Sequence, residues 1–599
     1  MLHDLHGALA SAGAYERDTL DRLLSLPVAE RIAAGVAWPP LNVESCEFAG
    51  RDQTRLTLRA QRGVALHDGL GPGDRVDVSV AEHTWTGRIE DVGRGWAEVR
   101  VRGQGPESGT ATITQLFDPA PWRRLADALA RGDGHSSSLR DVLLGEKPPS
   151  LREHYRPTPL HPQLNAPQRL AGEASMAAAE LALIHGPPGT GKTRLLVALL
   201  EALVKEGDRP WALADSNAAV DHLAERAAAA GLDVVRVGNW GRMSEAGRGL
   251  SLRRRIETGP HAQALRALSR DISQLSASND RDARRSLSRL YGQRRDLERA
   301  AEDHALSGAQ VIATTLGTLA WRAASLPPAQ TAVVDEATQA IEPSIWAAVP
   351  YIDRLILAGD PLQLGPVVRQ PHSPLSVSLL ERLMDPSGPG LALPMLEIQH
   401  RMNEHIQDLV QHIYGDRYAA HPSVAEHSVA QMPGVDATEL TRRSTLWIDT
   451  AGAGMDEQLD PATRSFENPG EAQLMDKVVD ALLQAGVPAA SIAIITPYSA
   501  QTRALQARLP KLEINSVNAF QGQEREIILC SWVRSNPDGN LGFVADVRRL
   551  TVAITRARRL WIGIGDSATL AGDPAFSQLF EVLESQDSMQ SVWEPPWSA

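Results

Sequence analysis

The sequence predicts an α/β protein with two parallel-sheet domains in tandem, a small β-barrel on a helical stalk ahead of them, and a helical insertion in the first. Three observations carry that expectation. A short apolar run at 181–185 ends in a glycine-rich loop that opens a helix. Buried-strand patterns alternate with helical ones through both halves of the chain, yet only the first half carries such a loop. Between residues 55 and 101 the hydrophobic period shortens to two.

The glycine-rich loop comprises Gly186, Pro187, Pro188, Gly189, Thr190, Gly191, Lys192 and Thr193, with Arg194 opening the helix. Strand, loop and helix in this order are what a phosphate-binding P-loop requires. Glycines free the backbone to turn successive N–H groups and the helix N-terminus toward a polyphosphate. Lys192 is expected to reach the β and γ phosphates of ATP, and the Thr193 hydroxyl to ligate Mg2+.

Composition narrows the class. The chain has 599 residues, a net charge of −13, and Cys46 and Cys530 as its only cysteines. A disulfide framework and a cysteine zinc cluster are excluded. The acidic balance argues against a protein that coats nucleic acid nonspecifically, although a local basic groove is compatible with it. No apolar run approaches the ~18 residues of a membrane span, and the N-terminus, with His3, Asp4 and His6, lacks a signal-peptide pattern. A soluble, cytoplasmic protein is expected.

In chain order, residues 1–50 are expected to form the first stalk, with Leu20, Leu23, Leu24, Val28 and Ile32 as its apolar stripe. Alternating segments and Gly-rich turns predict the barrel over 51–117. A second stalk helix and a Pro-rich linker fill 118–160. Gln168 follows, an amide with the donor and acceptor that an adenine edge needs. The first nucleotide-binding domain takes 161–251 and 306–395. Between them, 252–305 is Arg-rich and helical, including Arg253-Arg-Arg255, Arg284-Arg285 and Arg294-Arg295. It reads either as a solvated insertion or as an element touching a nucleic-acid backbone.

The strand at 331–334 delivers Asp335 and Glu336 to its C-terminal end, one carboxylate for the Mg2+ shell and one to activate water. A further strand at 354–359 has a polar tip, where Gln363 is placed to sense the γ phosphate. Residues 396–580 show buried-strand patterns without a second P-loop, so this half is expected to complete a site rather than to bind triphosphate alone. The tail at 581–599 gives no clear signal: a disordered segment and a short docking peptide both suit it.

At these residues a family resemblance emerges. The segments 335–343, 359–368 and 399–402 (Gln-His-Arg-Met) resemble motifs II, III and IV of superfamily 1 helicases, and 517–524 and 548–558 resemble motifs V and VI. More narrowly the chain is similar to the 5′-to-3′ subgroup that includes the RNA-surveillance (nonsense-mediated decay) helicase, senataxin and the immunoglobulin-mu-binding-protein helicases. The resemblance implies two RecA-like P-loop-type domains in tandem, with barrel, stalk and insertion as accessory parts. It makes Arg401 and Arg556 arginine fingers, puts Glu524 on the ribose and Gln168 on the adenine, and sets His400 where the subgroup carries a stacking tyrosine. Asp215, Asn518 and Thr551 stand where proline, aspartate and asparagine are usual.

The implied activity is ATP-dependent helicase or translocase action along single-stranded DNA or RNA, 5′ to 3′, by a monomeric motor. Ser216, Asn217, Thr314, Thr315, Thr496 and Pro497, at strand ends, are candidate contacts to phosphates and sugars. Two alternatives stay open. A nucleotide-gated clamp that does not unwind would use the same motifs, and a ring-forming AAA+ ATPase shares the loop but borrows its finger from a neighbouring subunit.

Overall fold

The computed structural model describes residues 2–50, 53–61, 66, 69–156, 158–276, 281–386, 389, 391, 394–461 and 463–597, the side chains of 48–50, 276 and 281–285 excepted. The side chains of Arg284 and Arg285 therefore lie outside the described residues.

Strands Ala37–Gly50, Gln53–Ala60, Arg75–Val80, His83–Gly93, Trp96–Arg102 and Thr110–Gln115 close into an antiparallel barrel. Alternate residues such as Leu56, Leu58, Val76, Val78, Val99, Val101 and Ile113 fill it, as the period of two requires. The barrel starts at Ala37, inside the stretch expected to be stalk. Trp38 and Leu41 are its first core residues, and the register shifts between them at Pro39 and Pro40, which hides the alternation.

Helix Leu2–Leu24 packs along Ala120–Asp133. Its Leu5, Leu9 and Ala12 share one core with Ala128, Leu129 and Trp346, so this helix pair rests on the first α/β lobe.

That lobe is a six-stranded parallel sheet in the order Leu181–His185, Arg354–Gly359, Thr331–Val334, Trp211–Ala214, Val311–Thr315, Val234–Val237. Every one of these strands is fully buried, since helices cover both faces. Helices Leu252–Thr258, Ala262–Ser276 and Arg281–Ser307 are inserted between the last two strands. Several of their arginines pair with acids: Arg255 holds Asp233 through both terminal nitrogens, and Arg253 and Arg294 meet glutamates one turn on.

The second lobe is also a parallel six-stranded sheet, ordered Glu513–Ser516, Ile492–Thr496, Arg525–Ser531, Ala557–Gly565, Thr445–Asp449, Met589–Ser591. Its last strand lies in the tail. Trp597 is buried against this lobe's core, its indole donates to Gln590 at 3.0 Å, and its carbonyl accepts from Lys477 at 3.1 Å. The tail thus supplies the edge strand of this sheet, a three-residue element too short to show a pattern in the sequence. No helix among the described residues is long and apolar enough to cross a membrane.

Candidate active site

The loop after strand Leu181–His185 runs into helix Lys192–Lys205 at the carboxyl end of the first sheet, where parallel α/β folds bind ligands. Gly189 and Gly191 both take a φ of +74°. A Cβ on Gly189 would come 2.7 Å from the Cβ of Arg401, and one on Gly191 2.5 Å from Nε2 of Gln168. Glycine is required at both, by backbone hand and by close approach.

Lys192 Nζ lies 2.6 Å from Glu336 Oε1 and 3.3 Å from Asp335 Oδ1. Burial works against its charge, but the two carboxylates outweigh burial and raise its pKa. Burial would likewise raise Glu336, yet Lys192 holds it below the usual carboxylate range, whereas Asp335 stays above it because desolvation there is the larger effect. Glu336 therefore remains an anion able to accept a proton. It sits in the left-handed region, at φ +52°, and Gln339 Nε2 donates to its second oxygen at 3.1 Å. A non-glycine residue in that region costs backbone energy that the surrounding contacts must offset, as is common at reactive positions.

The second lobe closes over this loop. His400 N donates to the Gly189 carbonyl at 2.8 Å and the Tyr418 hydroxyl to the Pro188 carbonyl at 2.6 Å. Arg401 pairs with Glu524 and donates to the Thr555 carbonyl at 3.0 Å. Arg556, only 2% exposed, donates to Gln363 Oε1 at 3.0 Å and Thr555 Oγ1 at 2.9 Å. Burial, with the like charge of Arg401 beside it, pushes Arg556 down to about 10, so it keeps its charge at neutral pH. Glu524 is held below its usual range by Arg401 and Arg558 in spite of burial.

One cavity of 1080 Å³ is lined from both sides: by Gln168, Gly186, Pro187, Pro188, Gly189, Thr190, Gly191, Lys192, Thr193, Arg194, Asp335, Glu336 and Gln363 of the first lobe, and by His400, Arg401, Glu524 and Arg556 of the second. The Thr193 hydroxyl makes no side-chain hydrogen bond among the described residues and shares the cavity with Asp335. A free hydroxyl and a buried carboxylate lining one cavity fit a hard, oxygen-preferring cation such as Mg2+.

Gln168 is more constrained than its place near a linker suggested. It is the N3 member of a capping box with Asn165, and its Nε2 donates to the Thr190 carbonyl at 2.8 Å. It braces the loop while facing the cavity. The exposed His400 ring lines the cavity and lies 4.4 Å from the ring of His421, tilted by 33°. Burial, then the charges of His421 and Arg194, lower the His400 pKa and keep the ring neutral at pH 7.

The strand-end candidates do not converge. Thr314 is wholly buried and its hydroxyl donates to the Val237 carbonyl at 2.9 Å, and Thr496 is also wholly buried with its hydroxyl unpartnered, so neither side chain reaches the surface. Both lie within fully covered strands, where a polar tip was expected. Thr315 and Ser216 cap the helices that follow them, and Ser216 also lines the large cavity. Asn217 accepts from Arg236 at 2.9 Å. Pro497 borders a different cavity on the second lobe.

Residue reasoning passed over Asp360, His185 and Tyr414. Asp360 accepts from Tyr414 and from Gln363, each at 2.7 Å, and meets His185 Nε2 at 3.0 Å. Asp360 stood inside the 359–368 motif and could have been found there. Tyr414 carries no local signal.

Comparison with known proteins follows the same division. A family model described as an AAA domain matches residues 163–371, and a second of the same description matches 375–568. The chain is 36% identical over 510 residues to the DNA-binding protein SMUBP-2 of Mus musculus, covering 81% of this chain and 51% of that one. It is 34% identical over 451 residues to the DNA polymerase alpha-associated DNA helicase A of Schizosaccharomyces pombe, covering 72% and 68%, and 32% identical over 451 residues to the regulator of nonsense transcripts 1 of Caenorhabditis elegans, covering 72% and 40%. The chain spans about half the length of the SMUBP-2 relatives it matches. With both halves of the motif set matched and a relative covered over two thirds of its length, the chain belongs to the superfamily 1 helicases, in the subgroup of the nonsense-mediated-decay and immunoglobulin-mu-binding-protein helicases.

Proposed function

We propose that this chain hydrolyses ATP in order to step along single-stranded DNA or RNA, 5′ to 3′, and to separate duplexes, acting as a monomer. The observation that carries the reading is the shared cavity: Lys192 and Glu336 on one wall, Arg401 and Arg556 on the other. A site divided between two lobes is complete only when they meet, which ties hydrolysis to their relative motion.

In this reading Lys192 and the loop amides hold the β and γ phosphates, and Glu336 orients the attacking water and takes its proton. Thr193 and Asp335 would hold Mg2+, which supplies charge neutralisation at the phosphates. Arg401 and Arg556 neutralise the charge that develops on the transferred phosphoryl, an effect worth ~10³-fold or more in related NTPases. Gln363, bonded to both Arg556 and Asp360, carries the change at the γ phosphate between the lobes. Glu524 serves the ribose, and Gln168 and His400 the base. The helix pair 2–24 and 120–133 acts as a stalk for the barrel, and the helices of 252–305 as an accessory insertion over the strand path. Both fingers come from the same polypeptide, so no neighbouring subunit is needed.

Two measurements test the proposal. Hydrolysis titrated with single-stranded DNA and RNA should rise severalfold with the preferred strand. A duplex with a 5′ overhang should be separated and its 3′ counterpart left intact. Stimulated hydrolysis with no displacement on any duplex would favour the clamp, and no stimulation by either polymer would overturn the nucleic-acid assignment.

A further inference from the structure

The large cavity extends beyond the phosphate loop. It continues as an arm between helix Lys192–Lys205 and helix Asn217–Ala229, which share one core on the same face of the first sheet. Val197, Ala198 and Glu201 line it from the first helix, and Ala219, His222 and Arg226 from the second. Residues three or four apart lie on one helix face, so each wall is a single stripe.

The arm has two distinct ends. At the inner one, Asp335 N donates to the Leu213 carbonyl at 2.8 Å, which sets the strand tip leading through Ser216 into the second helix beside Asp335 and Glu336. Lys192, Thr193, Ser216 and Glu336 line the cavity together there, so the arm begins at the reacting end of the site. Ala229 and Ala230 line the outer end, about 20 Å from Ser216 along the helix. They are exposed, as are His222 and Arg226, and the arm therefore reaches solvent.

The other way out is closed by bonds between the lobes. His400 and Tyr418 are bonded to the phosphate loop, and Arg556 to Gln363. A phosphate leaving between the lobes must part these contacts first.

The walls suit an anion in transit. Arg226 forms no ion pair among the described residues, so at the outer end its field draws an anion outward. The alanines offer no side-chain donor to hold it. Glu201, likewise without an ion pair among the described residues, lines the opposite wall and opposes retention, and a conducting route must release what it admits.

We propose that this arm is the exit for inorganic phosphate: after hydrolysis the phosphate leaves between the two helices while ADP stays on the loop and the lobes stay closed. The proposal rests on the proposed ATP-driven function and deepens it, because phosphate loss then precedes lobe opening and does not wait for it.

The test is single-turnover hydrolysis by the full chain, with ADP formation read by acid quench and free phosphate by a fluorescent phosphate reporter. His222→Trp, which places a larger ring in the arm, should leave ADP formation within about twofold of wild type and slow phosphate release about tenfold. Run in 18O-labelled water, it should release phosphate carrying more than one water oxygen, because trapped phosphate re-forms ATP and is hydrolysed again before escaping. Arg226→Glu should slow release about tenfold at low salt and much less at high salt, as a steering charge requires. Release rates and isotope content equal to wild type in both variants would overturn the exit and leave the motor reading in place. ADP formation slowed in step with release would also overturn it, by placing these side chains in the chemical step. No ATP hydrolysis by the wild type would overturn the motor reading itself.

Discussion

The Arg556 guanidinium donates to the Gln363 side-chain oxygen at 3.0 Å, from one lobe into the other. Gln363 passes that bond to Asp360, which also holds Tyr414 of the second lobe and His185, the residue before the first loop glycine. Burial alone would raise the Asp360 pKa, but the bond with His185 and those with Tyr414 and Gln363 hold it below the usual range. No member of such a buried chain can lose its partner cheaply, so a shift of Arg556 is felt at the phosphate loop.

Glu336→Gln should reduce ATP hydrolysis by about 10²-fold or more while ATP still binds, because the amide keeps the shape and loses the proton acceptor. Lys192→Ala should abolish turnover and also weaken ATP binding. Phosphate release together with equilibrium nucleotide binding separates the two effects. An unchanged hydrolysis rate in Glu336→Gln would remove its role as base.

Arg556→Ala should slow hydrolysis by about 10³-fold with little change in nucleotide affinity, since a finger acts on charge that appears only during transfer. Gln363→Ala should weaken the stimulation by single strands more than the basal rate. A defect confined to the KM for ATP would place Arg556 in ground-state binding instead.

Glu471 makes stability fall as pH rises. This wholly buried carboxyl accepts from Ser531 at 2.6 Å and from Val533, and burial pushes its pKa from 4.5 up to about 8. The folded state therefore holds a proton that the unfolded chain releases, so this contribution is complete below about pH 4.5 and is lost as pH rises through about 8. The melting temperature of wild type should decline over that window relative to Glu471→Gln, whose side chain does not ionise. Parallel profiles for the two proteins would refute the assignment.

Trp597→Ala should destabilise the second lobe by about 3 kcal/mol, the usual cost of emptying a buried aromatic site. Denaturant unfolding reads the change. A loss within a few tenths of a kcal/mol, typical of surface substitutions, would show that the tail is not docked.

Much of the shared cavity's lining was legible because its parts are local. A glycine loop between strand and helix, and Asp335-Glu336 at a strand tip, state their chemistry within a dozen residues. The burial of two strand-end candidates was illegible for the opposite reason. Thr314 and Thr496 are polar residues ending apolar runs, and only the sheet neighbours that cover them decide whether their hydroxyls meet solvent or the core. The barrel's first strand escaped because Pro39 and Pro40 break its register.

By itself the sequence determined the chemical inventory and its order along the chain: one phosphate loop, one acidic pair and two arginine motifs beyond them, since short segments fix their own backbone conformation and charge. The tertiary structure alone decided which groups meet across the cleft. Tyr418 on Pro188, Tyr414 on Asp360, Arg556 on Gln363, and the rings of Phe466, Tyr498 and Phe543 around one cavity are all set by how the two sheets and their loops pack. Contacts between distant segments depend on that packing, which no local pattern encodes.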